Sequence, residues 1–118
     1  MQGSIPKVAI TGVNDMGQIK KLRDVRPGAE NLNLVVRVVS VGKPRKILTR
    51  YGEAVTALAV VEDETGRLNL KLWRSQVNLV KPGDVIKIEN GFAVQFGGAT
   101  EINVGSRGRI IVVKRLTN

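Results

Sequence analysis

Residues 53–73, "EAVTALAVVEDETGRLNLKLW", restrict this chain more than any other stretch. Two runs rich in strand-forming residues flank "DETG", and a connection that short turns the chain straight back on itself as a hairpin. The second run alternates without a fault. Leu68, Leu70 and Leu72 fall on one side, and Arg67, Asn69, Lys71 and Trp73 on the other. A period of two is incompatible with a helix. It demands a sheet with one covered face and one open face. Val and Ile outnumber Leu by 27 to 10, so the preference for a pleated backbone extends over the whole chain.

Further strands are expected around this hairpin. "LNLVVRVVSV" (32–41) precedes it, with Arg37 interrupting an apolar run; "DVIKIEN" (84–90) and "ATEINVGS" (99–106) follow, and "RGRIIVVKRL" reads as a further edge strand. "GKPRKILTRYG" (42–52) has glycine at both ends, one proline and no acid, and is expected to be a long, mobile basic loop. Ser75 is placed to cap a short helix over "QVNLV", ended by Pro82-Gly83. Residues 19–33 read as a short helical turn stopped at Pro27-Gly28, and residues 1–18 as an extension with one edge strand near 7–11. "GVNDMGQ" lacks the Lys-Ser/Thr pair of a phosphate loop.

The predicted order is strand, basic loop, strand, tight hairpin, strand, short helix, strand, hairpin, strand. It suits an all-β, five-stranded Greek-key barrel of the OB type, spanning residues 19–118 as one domain. An SH3-like barrel is the alternative, and the helix between strands 3 and 4 favours the OB arrangement. Such barrels bind oligonucleotides across strands 2 and 3, with the 1–2 and 4–5 connections as jaws.

Charge points the same way. Nineteen Lys and Arg against ten Asp and Glu give a net charge of +9, which attracts polyanions. A merely basic surface is the plainer reading. Cysteine and histidine are both absent, which excludes disulfides, thiolate chemistry, Ser-His catalysis and the usual zinc ligands. No metal, cofactor or catalytic residue is expected, and Glu62, Asp63 and Glu64 read as ordinary turn chemistry. No apolar run reaches membrane-spanning length and no secretion signal is visible, so a cytoplasmic protein is expected.

The chain has only four aromatic side chains. Trp73 shares the polar side of its strand with Arg67, Asn69 and Lys71, where it either covers the barrel's open end or stacks on bases. Phe92 and Phe96 lie in "NGFAVQFGG", between the fourth and fifth strands. In an extended segment they share one side with Val94, and that side either joins the core or meets ligand. Single strands are bound by aromatic platforms under the bases and cations along the phosphates. Lys43, Arg45, Lys46 and Arg50 with Tyr51 form a candidate second jaw. Arg37, Arg67, Asn69, Lys71, Asn103 and Arg107 complete the candidate groove contacts.

"VEDETGRLNLKLW", "VKPGDVIKIENGF" and "EINVGS", with "DVRPGAENLNLVVRVVSVG" before them, closely resemble the archaeal single-stranded DNA-binding proteins with one OB fold. These are related to SOSS-B and, more distantly, to replication protein A. The resemblance covers residues 19 to about 110. It implies sequence-tolerant, non-catalytic binding of single-stranded DNA, and to some degree RNA, in replication, recombination and repair. It also implies stacking by Trp73, Phe92 and Phe96, with phenylalanine at 92 where the family's archaeal members carry tryptophan. Those members continue into a flexible Gly/Arg-rich and acidic tail that recruits replication and repair partners, whereas this sequence reaches Asn118 with "VVKRLTN". The other functional readings are an OB module for structured RNA, with Asn69 and Asn103 discriminating bases, and a protein-interaction subunit.

Overall fold

The structure, a computed structural model, describes residues 18–115. The expected edge strand at 7–11 lies outside them. The described residues form seven strands: β1 (Leu32–Val41), β2 (Arg45–Thr49), β3 (Gly52–Asp63), β4 (Gly66–Trp73), β5 (Val85–Phe96), β6 (Ala99–Asn103) and β7 (Arg109–Lys114). Five of them close a ring. β1 pairs with β3, β3 with β4, β4 with β6, β6 with β5, and β5 with β1. Only the β4–β6 junction is parallel; the other four are antiparallel. This is the OB arrangement, with β2 added beside β3 and β7 added beside β5.

Alternation in the sequence sets the inside of the ring. Leu34, Val36 and Val38 on β1, Ala57, Ala59 and Val61 on β3, and Leu70 and Leu72 on β4 are buried together with Ile86, Ile88 and Ile102. No aromatic residue is among them. Branched aliphatics interdigitate well on facing pleated surfaces, so the core closes with small, stiff side chains alone. All four aromatics are left for the outside.

Three expectations are corrected. The basic segment 42–52 is not a mobile loop: Arg45–Thr49 forms β2, paired with Gly52–Thr56 of β3 in a hairpin that stands out from the ring. The segment "NGFAVQF" is not a connection between strands but the second half of an unbroken β5, and the turn to β6 is confined to Gly97 and Gly98. Gly91 does not break the strand because it points inward. A Cβ there would meet Ile88 Cγ2 at 3.0 Å and the Asn103 carbonyl at 3.2 Å, so the ring requires glycine for packing. The helix between the third and fourth ring positions is a 3-10 helix, Arg74–Asn78, and Ser75 does not cap it. The Trp73 N–H instead donates to Gln76 Oε1 at 2.9 Å.

The β3–β4 turn is as tight as its sequence requires, with Asp63 opposite Gly66. Asp63 Oδ1 accepts from the Thr65 N–H at 2.7 Å, and Oδ2 accepts from the Leu22 N–H at 2.9 Å. The second bond ties the 3-10 turn Leu22–Asp24 to the hairpin. At the opposite end Asp84 is buried, accepting from the Lys81 N–H at 2.9 Å and from Arg115 at 2.9 Å.

Candidate nucleic-acid interface

Strand register carries the outward side chains of β3, β4, β6 and β5 into aligned rows. Leu58, Lys71, Asn103 and Phe92 make one row; Val60, Asn69, Glu101 and Val94 make the next. Trp73 lies one step beyond Lys71, opposite Thr56, which in turn faces Arg45 of β2. The parallel β4–β6 contact is what brings the two phenylalanines beside Trp73. Without it, residues 71–73 and 92–96 would lie on separate hairpins.

Phe92, Val94 and Phe96 thus lie on the outer side, and Gly91 and Ala93 on the inner. The core alternative for these phenylalanines is overturned by the pairing of Phe92 with Asn103 and of Val94 with Glu101. Phe96 is 67% exposed and Phe92 37% exposed. An isolated exposed ring is unremarkable, but rings of two strands converging on one ammonium group are not. Lys71 Nζ sits 4.7 Å from the Trp73 ring centroid and 5.6 Å from that of Phe96, within cation–π range of both.

Trp73 is held in place by its neighbours. Its Nε1–H donates to Asn103 Oδ1 at 2.9 Å, and its backbone N–H to Gln76. Gln76 in turn donates through Nε2 to the Val104 carbonyl at 2.9 Å, which locks the turn after β4 onto the end of β6. Arg74 adopts a left-handed φ of 55°, rare for a residue with a Cβ, and this bends the chain away immediately after the ring. The indole is half-buried, with its edge fixed.

The remaining candidates divide into three groups. Lys43, Arg45 and Lys46 are exposed on and before β2, and Arg50 and Tyr51 sit at the tip of the β2–β3 hairpin, with the guanidinium 6.0 Å from the Tyr51 ring centroid. None of these four cations has an ion pair among the described residues. Arg37 and Arg67 are different. Both bind Glu62, Arg37 to Oε2 and Arg67 to Oε1 at 3.0 Å, and together they hold its carboxyl below the usual range. Arg67 stands at the far end of β4 from Trp73, about 20 Å along the strand, and Arg37 reaches the same Glu62 from β1. Arg107 lies on the other side of Phe92, in the turn between β6 and β7.

Asn103, expected as a groove contact, is 93% removed from solvent and acts first on Trp73. Two residues escaped the sequence reading. Gln76 gives no signal beyond its place three residues after Trp73. Glu101 does give one, because it alternates with Ile102 in "TEIN". It is the acid of the face, buried among outward residues, and its carboxylate has no ion pair among the described residues.

Aromatic rings and unpaired cations on the β3–β6 side of an OB ring define a module of the oligonucleotide-binding class. The chain belongs to the Ssb-like family of single-stranded DNA-binding proteins with an OB fold, which it matches over residues 25–112. It is 37% identical over 91 residues to the single-stranded DNA binding protein Ssb of Saccharolobus solfataricus, covering 77% of this chain and 62% of that protein. It is 32% identical over 101 residues to replication factor A of Methanothermobacter thermautotrophicus, covering 79% of this chain and 12% of that protein. The solved OB domain of a Thermoplasma acidophilum protein superimposes with a TM-score of 0.72 at 21% identity, covering 85% of this chain and 91% of that one. The chain therefore spans only part of either curated relative.

Proposed function

We propose that this protein binds single-stranded DNA without catalysis and largely without regard to sequence. Bases stack on Trp73, Phe96 and Phe92, while Lys71, Arg45 and the other cations of β2 meet the phosphates. The observation that carries this reading is the Trp73–Lys71–Phe96 cluster, a cation poised between two rings on an open sheet face. Base stacking on aromatics is tolerant of sequence because every base has a π-face, and each stacked base is worth about 1–3 kcal/mol. The name of the Saccharolobus relative supports the same ligand, and that of the Methanothermobacter relative a part in replication. Roughly 4–16 nucleotides are covered, the range for one OB fold. Protection of exposed strands in replication, recombination and repair, in the cytoplasm at the nucleoid, is the role that follows.

Trp73 is the sole tryptophan, so its fluorescence reports on the platform itself. Oligo-dT quenches it at low salt and duplex DNA of the same length does so far less. Absence of quenching by any single strand refutes the stacking reading. Tight binding of a folded RNA in place of oligo-dT transfers the function to RNA.

A further inference from the structure

Beyond Phe92, away from Phe96, the outer face runs into an open cavity of about 340 Å³ between residues 90–92 of β5 and the 105–108 turn. Its size is that of a small-ligand site. Phe92 forms one wall. Asn31 and Asn90 supply amides, Ser106 a hydroxyl and Arg107 a guanidinium, with Glu30 also in the lining.

The cavity is built into the backbone. Asn31 and Asn90, both in the lining, take left-handed φ values of 56° and 57°, rare for residues with a Cβ. A Cβ at Gly108 would stand 2.5 Å from the Glu89 carbonyl and 2.6 Å from that of Asn90, so glycine there lets the turn lie directly against β5. Asn90 Nδ2 donates to the Arg107 carbonyl at 3.2 Å and fixes the turn from the other side. The neighbouring arginines differ. Arg109 is committed to Glu89 at 2.7 Å, whereas the Arg107 side chain has no partner among the described residues.

We infer that this cavity is a nucleotide subsite continuing the stacking row. One nucleotide of the bound strand enters it, with its base against the side of Phe92 remote from Phe96 and its phosphate on Arg107. An aromatic wall, neutral donors and acceptors for a base edge, and one unpaired cation for a phosphate match the parts of a nucleotide. The Glu30 carboxylate only accepts, so it suits a base N–H, the amino group of A, C or G or the ring N3–H of T, and not the phosphate. Phe92 thereby separates two bases, one on the open face and one in the cavity. The subsite rests on the proposed DNA-binding function but is separable from it.

The test uses two variants. Arg107→Ala removes the cation. Gly105→Leu fills the cavity; its Cβ would lie 3.5 Å from Phe92 Cε1, an ordinary contact. Both are checked for unchanged far-ultraviolet circular dichroism and titrated with oligo-dT by Trp73 fluorescence. Both still quench at saturation, but each requires about tenfold more DNA for half-saturation, as for one stacked base. The log–log salt slope becomes shallower by about 0.7 for Arg107→Ala and is unchanged for Gly105→Leu. Wild-type half-saturation in both variants overturns the subsite while leaving the stacking platform intact. Weakening by Arg107→Ala alone also overturns it, because a surface phosphate contact then suffices. Failure of the wild-type protein to quench refutes the platform itself, a result visible before either variant is made.

Discussion

Replacing Asn103 by leucine tests whether the platform is positioned or merely present. Asn103 is 7% exposed, and its Oδ1 is the acceptor for the Trp73 Nε1–H at 2.9 Å. Leucine has the same number of side-chain heavy atoms and the same branching, so the substitution removes an acceptor without opening a cavity. A net intramolecular hydrogen bond is worth about 1 kcal/mol, and the half-buried indole regains part of its hydration, so stability falls by about 1 kcal/mol. That lowers the Tm by about 4–8 °C in a domain of this size. If the bond aligns the ring for stacking, a similar energy is lost from binding, which amounts to about a fivefold rise in Kd for oligo-dT. No charge is removed, so the factor is the same at low and high salt. Asn103→Asp is the companion variant. It keeps the acceptor but puts a second buried carboxylate on the same side of β6 as Glu101, so it costs stability through desolvation, and its anion beside the phosphates lowers affinity chiefly at low salt. Wild-type affinity in a folded Asn103→Leu protein refutes the argument that this bond positions Trp73.

Phe96→Ala, at a ring 67% exposed, changes stability by no more than about 0.5 kcal/mol while weakening oligo-dT binding about tenfold; urea unfolding and fluorescence titration measure the two separately. Lys71→Met weakens binding most at low salt and makes the log–log salt slope shallower by about 0.7. Acid tests the buried carboxylate. Hydrogen bonding from Arg115 holds Asp84 below its ordinary range despite burial, so the unfolded chain takes up this proton first as pH falls. Its stabilisation is complete above the unfolded pKa of about 3.9 and drains away as pH drops through the folded value. Thermal melts from pH 6 to about pH 3 show this decline, and Arg115→Ala flattens it.

The sequence was most legible where one element contained its own evidence. The 53–73 hairpin needed only alternation and a short turn, and both its register and its outward face are as its residues imply. β2 was hidden because its pattern is carried by Arg45, Ile47 and Thr49 among cations and a proline. It is a strand because Gly52–Thr56 of β3 offers it an edge, and nothing local reveals that. β5 was divided at Gly91 because glycine usually weakens strands, while here its missing side chain makes room for Ile88 and the Asn103 carbonyl. The site shows the same limit. A period of two groups Phe92, Val94 and Phe96 together but cannot say which way they face; only pairing with β6 decides it. The resemblance supplied the stacking trio, and the structure brings Lys71 between two of its rings. The partners that hold Trp73 lie 3 and 30 residues away, one on a helical turn and one on another strand.

The parallel junction between β4 and β6 has a consequence for how the molecule is made. The β3–β4 hairpin, carrying Lys71 and Trp73, closes over a short turn and belongs to the microsecond class of folding events. The β5–β6 hairpin with its two phenylalanines is equally local. Joining them fixes Lys71 opposite Asn103, and closing the ring fixes Leu32 opposite Gly91, both across long stretches of chain. Loop-closure entropy makes those steps the slow ones. Each half of the platform can therefore form early as an open ribbon with exposed rings, but the composite surface appears only when the ring shuts. In a refolding experiment, competence to bind oligo-dT should arrive with the slowest phase and not with the burst of strand formation.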